Sequence, residues 1–478
     1  MSQAIPRLTV LSADLISQIH ARSLEILATV GIRVDSPRAR TLLARAAGGP
    51  VADGPVRLPA ELVEWALKAA PSDIPVHHRT GGPAFRLGPG GDGTRFGIGV
   101  TNLYYQDPLS DAAVPFTRAH MAACTRLGDA LPSFDCVSTI GVPRDLPPSV
   151  ADLYATLEMA ANTTKPLVLL VAEPAAFEPA LDLLETLCGN TAARPFVVPY
   201  FNPISPLVIN PETSDKMAVS IARGLPIIYS NYGMSGATTP ITPAGTLTLL
   251  NAELLAGLVL AQIMKEGTPV ILGSLPAGFD MATTVSYYGP ETMLLNLACA
   301  EMMAHYRLPH CGTSGSGAGW GADLPAADLF WMNHLTSCLG VAGLAPFVGG
   351  NFDSLAFSPT AAVYADHVIQ QARRFARGFT FDDEALGLAE IAETGPGGSF
   401  LAAEQTLRLF REAAFKSPVF PRLSLEAWQA IGQPKADDLL RRHTVELMAA
   451  HPAPPDREAL VERGEAWIRR FLAGRSCL

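Results

Sequence analysis

Eight short apolar runs, each leading into a stretch of helical periodicity, fill the middle of this 478-residue chain. They fall at 96–102, 134–141, 167–173, 196–202, 227–231, 270–275, 310–314 and 347–351. Several are continuously apolar, such as Leu167-Val168-Leu169-Leu170-Val171, as parallel strands buried on both faces must be. Proline precedes most of them (Pro166, Pro195, Pro226, Pro269, Pro309 and Pro346); there it ends a loop and occupies the first strand position. Asn210-Pro211-Glu212, Thr242-Pro243, Gly289-Pro290-Glu291 and Ser358-Pro359 open helices, with a capping residue and proline in the first turn. Eight β/α units in an unbroken series predict an α/β fold, a closed (β/α)8 barrel of the TIM type rather than an open doubly wound sheet. Residues 1–90 read as an N-terminal layer of helices and a hairpin, 91–375 as the β/α barrel, and 376–478 as a C-terminal helical extension.

The composition, 48% hydrophobic and 17% charged, raises the possibility of a membrane protein. No uncharged apolar run reaches the roughly 20 residues that a spanning helix needs. The longest candidate, 247–264, carries Asn251, Glu253 and Gln262. A buried barrel and a homo-oligomer interface are the expected sinks for this apolarity, with no membrane contact. The net charge of −10, without any Lys/Arg cluster interleaved with aromatics, argues against nucleic acid. Seven widely spaced cysteines with no Cys-x-x-Cys read as reduced thiols, and the first residues carry no signal-peptide apolar region, so the expected location is cytoplasmic.

A barrel of this type places its chemistry at the carboxyl ends of the strands. Those ends offer Asn102, Tyr104 and Tyr105; Glu173; Tyr200, Phe201 and Asn202; Tyr229, Asn231 and Tyr232; Phe279 and Asp280; His310 and Cys311; and Asn351, Phe352 and Asp353. The set is aromatic and amide-rich. None of the six lysines ends a strand, which argues against Schiff-base chemistry. Among these strand ends His310 and Cys311 are the sole adjacent His/Cys pair, and strand neighbours point to opposite faces, so no metal site is expected. The run 312–321, Gly-Thr-Ser-Gly-Ser-Gly-Ala-Gly-Trp-Gly, follows a strand and precedes a helix but lacks the acidic residue that completes a dinucleotide fingerprint. It reads as a rim loop that lets a bulky partner approach the backbone. Tyr104, Tyr105, Tyr229, Tyr232, Phe279, Trp320 and Phe352 are candidates for an aromatic cage around a quaternary ammonium group, each ring contributing about 0.5–2 kcal/mol.

The segments Pro226-Ile-Ile-Tyr, the run 234–245 (Met-Ser-Gly-Ala-Thr-Thr-Pro-Ile-Thr-Pro-Ala-Gly), Asn251-Ala-Glu-Leu-Leu-Ala-Gly and Pro269-Val-Ile-Leu-Gly-Ser-Leu-Pro resemble the trimethylamine methyltransferase family, whose members without pyrrolysine include glycine betaine methyltransferases. Gly349-Gly350 with the run 353–358 (Asp-Ser-Leu-Ala-Phe-Ser) is similar to the family's eighth strand and loop. The resemblance implies a barrel that moves a methyl group from an amine to Co(I) of a separate corrinoid protein, with no cofactor bound by this chain and cobalamin on the partner as methyl acceptor. The family's pyrrolysine is expected near the loop 312–321, where this chain has standard residues throughout, so a quaternary amine such as a betaine is the expected substrate. Ala403 and Gln405 stand where relatives often carry histidine. Under this reading Asp280 or Glu173 supplies a counter-charge. His310, Asn202, Asn231 and loop amides would bind a substrate carboxylate, and Gly312, Gly315, Gly317 and Gly319 would face the corrinoid. Two other functions fit the same residues: a non-catalytic betaine-binding or sensing barrel, and a metal-dependent barrel lyase or hydrolase.

Overall fold

The computed structural model describes residues 2–51, 53–88, 91, 93–189, 191–312 and 317–475. Eight parallel strands form the central sheet: β1 Arg95–Ile98, β2 Phe134–Ser138, β3 Leu167–Leu169, β4 Val197–Phe201, β5 Ile227–Ser235, β6 Val270–Asp280, β7 His310–Gly312 and β8 Leu344–Val348. Each pairs with the next, and β8 pairs with β1, so the sheet closes on itself. The helices that follow them are α1 Arg118–Ala130, α2 Pro148–Asn162, α3 Phe177–Cys188, α4 Pro211–Ala222, α5 Pro243–Met264, α6 Pro290–His305, α7 Leu324–Leu339 and α8 Pro359–Ala376. Proline occupies one of the first two positions of all of these except α1 and α3.

Two strands exceed their sequence-based limits. β5 and β6 run on past the barrel and stay paired over nine residues, from Ile227 opposite Val270 to Ser235 opposite Gly278. Beyond that, β6 turns back on the short strand Val285–Tyr287, forming a hairpin that overhangs the mouth. β8 starts at Leu344, ahead of the apolar run that begins at Phe347, and its register against β1 shifts between Ala345 and Val348.

The other end of the barrel is closed. The hairpin of strands Ile74–His77 and Pro83–Leu87 puts Ile74, Val76, Phe85 and Leu87 into one apolar cluster with the inward side chains Cys136, Val168, Val198, Ile228, Ile271, Cys311 and Leu344. Helix α5 is long and apolar enough to cross a membrane by length and composition, yet most of it is buried in the fold. The N-terminal helices Ala13–Thr29, Pro37–Ala46 and Ala60–Ala69 pack on its outer side and the strands on its inner side; a helix covered all round is apolar all round. Its polar residues each have a task. Asn251 donates to Ser23 Oγ at 2.9 Å, Gln262 to the Thr268 carbonyl at 2.9 Å, and Glu253 accepts from Ser205 Oγ and the Leu207 amide at 2.7 Å each.

The C-terminal extension has two unlike parts. Helix Arg457–Arg475 packs on α2, where Gly464 lets Leu157 approach its backbone. Buried Arg79 of the floor hairpin holds Asp456 through paired bonds of 2.7 and 2.8 Å. By contrast, no residue from 373 to 418 is buried.

At Gly257 of α5 an added methyl group would fall inside the ring of Tyr229. Gly257→Val is therefore expected to lose about 1–3 kcal/mol through overpacking, read as a lowered midpoint in thermal or urea denaturation.

Candidate active site

Alternation along each strand decides which side chains reach the mouth. On β5, Ile228 belongs to the barrel interior, so Tyr232, four residues on, shares its inward face. Tyr229 and Asn231 lie on the other face. Tyr229 is fully buried against α5, and Asn231 donates to the Leu250 carbonyl and to Glu253 Oε2, both at 2.9 Å. On β7, Cys311 points inward. His310 and Gly312 therefore face the helix layer, where a methyl group on Gly312 would meet His310 and Asn296. The expectation that Tyr229, Asn231 and His310 line the mouth is thus corrected by strand parity. His310 is buried with neither ring nitrogen bonded, and burial pushes its pKa down to about 3, so it stays neutral.

Other candidates are already engaged. Tyr105 is buried, stacked on His120 with centroids 4.0 Å apart. Tyr104 carries the protein's own Arg144 guanidinium over its ring at 5.5 Å. Asp280 accepts from the Ala282 amide at 2.8 Å and Thr283 Oγ1 at 2.7 Å, closing the hairpin turn, and these bonds hold its carboxyl below the ordinary range. Glu173 sits near Lys216 and Asp152. Asn202 is exposed, and its carbonyl accepts from Thr213. Gly315 lies outside the described residues; Gly317 and Gly319 join the loop network below.

What gathers at the mouth is Tyr232, Ser286, Tyr288 and Asp353. Ser286 donates to the Asp353 carboxylate, Tyr288 lies close enough to act on that carboxyl, and Tyr232 lies close to Ser286 and Tyr288. Ser286 is the cross-strand partner of Phe279, so that ring shares the Tyr232 face. Deeper in, Tyr200 and Phe347 meet edge to face at 5.0 Å. Burial raises the Asp353 pKa, the Ser286 bond and nearby Tyr288 only partly opposing it, and burial likewise raises both tyrosines.

Asp353 is held by a strained loop. Phe352, Asp353 and Ser354 have φ of 51, 53 and 65°, three successive non-glycine residues in the left-handed region, each costing about 1–2 kcal/mol. Surrounding bonds impose this shape. The Phe352 and Asp353 amides donate to the carbonyls of Gly319 and Gly317, both at 3.2 Å, and the Gly317 amide donates to the Gly350 carbonyl at 2.7 Å. Buried Asn351 donates to Gln106 Oε1 at 2.7 Å, Gln106 to the Trp320 carbonyl at 2.7 Å, and buried Asn102 to the Ser354 carbonyl at 2.6 Å. The loops after β1, β7 and β8 are thereby sewn together around one carboxylate.

Sequence reasoning put Asp353 at the mouth without giving it a role and passed over Ser286 and Tyr288. The only local signal was the Tyr287-Tyr288-Gly289-Pro290 run ahead of α6. Among the described residues no group of three or more His, Cys, Asp or Glu could hold a metal ion.

A closed barrel with an acidic, aromatic mouth at the strand ends has the layout of a β/α-barrel enzyme. The sequence profile described as trimethylamine methyltransferase (MTTB) matches residues 1–473. The chain therefore belongs to the trimethylamine methyltransferase family, and it is a methyltransferase-class enzyme. It is 27% identical to the glycine betaine methyltransferase of Desulfitobacterium hafniense strain Y51, covering 99% of this chain and 98% of that one. It is 28% identical to the trimethylamine methyltransferase MttB of D. hafniense strain DCB-2, covering 87% and 84%. Among solved structures, the monomethylamine methyltransferase MtmB of Methanosarcina barkeri superposes with a TM-score of 0.55 at 12% identity, covering 91% of this chain and 88% of that one. This is a likeness of fold.

A cation in contact with a half-buried carboxylate gains about 4 kcal/mol at an effective dielectric of 20, more than any one ring supplies. A ligand bound beside Asp353 would therefore be favoured if cationic, and the rings would favour an apolar one. Tetramethylammonium cannot lose a proton, so any pH dependence of its binding belongs to the protein. Its affinity is expected to rise with pH through the upward-shifted titration of Asp353 and then level off. Asp353→Asn should flatten that profile and weaken binding at least about tenfold at neutral pH, as read by calorimetry.

Proposed function

We propose that this chain transfers a methyl group from a quaternary amine, glycine betaine or a close relative, to Co(I) of a separate corrinoid protein in the cytoplasm. The observation that carries this reading is the desolvated Asp353 carboxylate set among Tyr232, Tyr288 and Phe279 at the mouth. Family membership and the resemblance to a glycine betaine methyltransferase support it.

The chemistry suits the residues. A quaternary ammonium nitrogen has no lone pair and no proton. When the N–C bond breaks, the electron pair stays on nitrogen and the methyl carbon leaves as a cation equivalent. The released tertiary amine is neutral, so no residue has to move a proton. Asp353 and the rings hold the charged end and exclude water, and the strained loop fixes where the methyl group points. The partner's corrinoid supplies a two-electron nucleophile for that carbon. Every residue of the loop 312–321 is a standard one, so a free tertiary amine, a poor donor without activation, is not the favoured substrate.

The rim supports an outside acceptor. Leu324, Ile241, Met281 and Trp320 are 84, 74, 72 and 69% exposed, and they come from the segments after β5, β6 and β7. Exposed apolar side chains along one arc of a mouth suit a protein-docking surface.

Incubation with glycine betaine and a reduced corrinoid protein is expected to yield dimethylglycine by mass spectrometry, and trimethylamine should yield no dimethylamine. Tight betaine binding with no dimethylglycine would refute methyl transfer and leave a binding protein. The double variant Trp320→Ser/Met281→Ser should lower the transfer rate at limiting corrinoid protein by about tenfold or more, with tetramethylammonium affinity unchanged.

A further inference from the structure

A quaternary amine that passes a methyl group to an outside acceptor must point that group out of the mouth. Whatever else the molecule carries then points inward, so the layer below the mouth decides which tail can enter. The floor cluster beneath is apolar. Above it, strand alternation turns inward Ser138 on β2, Leu170 just past β3, Tyr200 on β4, Ser230 on β5 and Leu275 on β6, since Cys136, Val168, Val198, Ile228 and Ile271 point inward on the same strands. None of the five carries a charge. Leu170 and Leu275 point into the barrel yet are only partly buried, so their exposed surface belongs to a recess that opens to the mouth.

Of the three hydroxyls in this layer, one is engaged: Ser138 donates to the Pro346 carbonyl at 2.7 Å. Tyr200 Oη and Ser230 Oγ are buried without a hydrogen bond of normal geometry to any described residue, although they lie near each other. Buried polar atoms are nearly always bonded, and an unpaired one is destabilising. Both are fixed in place. The Phe347 ring meets Tyr200 edge to face at 5.0 Å. Opposite Ser230 stands Gly273, where a methyl group would come within 2.7 Å of Ser230 Oγ, so glycine leaves that hydroxyl uncovered. Ser230 precedes Tyr232 by two residues on the same face of β5, about 7 Å deeper. Tyr288 lies within electrostatic reach of both Tyr200 and Asp353. The cup thus has a carboxylate at the top and two unbonded hydroxyls beneath.

Resting on the quaternary-amine reading, we propose that Tyr200 and Ser230 are the specificity-determining residues of this site: their hydroxyls donate to the carboxylate of a short betaine bound tail-inward. The nitrogen then lies beside Asp353 and a methyl group faces the mouth. Asp353 repels the anionic tail and drives it to the far end of the cup. There the hydroxyls meet it, and hydrogen bonds to an ionised acceptor are short and strong. His310 and Asn231, the strand-end residues expected to bind a carboxylate, face the helix layer instead. Neutral donors therefore replace a lysine or arginine, and the site selects a zwitterion over a simple tetraalkylammonium ion, against the preference for net positive charge that Asp353 alone would impose.

The test is calorimetric binding of three probes to the full-length protein: glycine betaine, its apolar isostere isobutyltrimethylammonium, and tetramethylammonium. It needs no methyl transfer. Wild-type protein is expected to bind glycine betaine at least about tenfold more tightly than the isostere, and Tyr200→Phe and Ser230→Ala should each lower that ratio by about tenfold. An isostere that binds wild type as tightly as glycine betaine, or variants that keep the wild-type ratio, would overturn the proposal while leaving the quaternary-amine reading in place. Failure of wild type to bind any of the three would overturn that reading and the proposal with it. The comparison of ligands uses wild-type protein, so it decides the matter even if a variant does not fold.

Discussion

The paired extension of β5 and β6 is the contact on which the rest depends. Closing a parallel sheet requires its strands to meet in one register, and here the longest ladder, nine residues, seals the barrel and then continues above it. Register fixes the facing of every side chain along both strands, since a slip of one residue would exchange the two faces. In the observed register Tyr232 and Phe279 face the mouth, while Tyr229 and Asn231 lock the strand to α5. Binding face and scaffold are thus set by one hydrogen-bonded ladder.

The mouth itself combines two costly features. One is a carboxylate drawn out of water; the other is a run of three left-handed residues. Neither persists alone. Asn102, Gln106 and Asn351 fasten the three loops from within the fold, so the strain is distributed over a network of bonds rather than relaxed by moving Asp353 outward. A site built this way is stiff before ligand arrives, which suits the proposed transfer, whose main requirement is alignment of a methyl group with its acceptor. The floor hairpin, tied down by Arg79 and Asp456, closes the opposite end and leaves the strand ends as the way in.

Much of the architecture could be read in the chain. The proline-strand-helix punctuation marked most of the eight units, because burial on both faces makes parallel strands apolar and proline suits the first positions of strands and helices. The site was less legible. Tyr229, Tyr232 and Tyr105 look alike in sequence, yet one fills the helix layer, one faces the mouth and one stacks on His120. Ser286 and Tyr288 come from a return strand that no periodic pattern announces, because three residues are too few to show alternation. The overhang of β5 and β6 was hidden for a related reason: past the barrel the strands lose their second covered face, and the apolar signal stops while the hydrogen bonds continue.

By itself, then, the sequence determined the number of β/α units, the pole where chemistry sits, an aromatic composition there, and membership in a methyltransferase family, since these follow from local propensity, hydrophobic period and shared segments. Only the tertiary structure decided which aromatics face inward, that Asp353 rather than Asp280 or Glu173 stands desolvated among tyrosines, and that one part of the C-terminal extension is seated while another lies bare. Those outcomes depend on strand parity, on hydrogen bonds between residues as far apart as Gln106 and Asn351, and on burial, none of which a linear pattern of residues specifies.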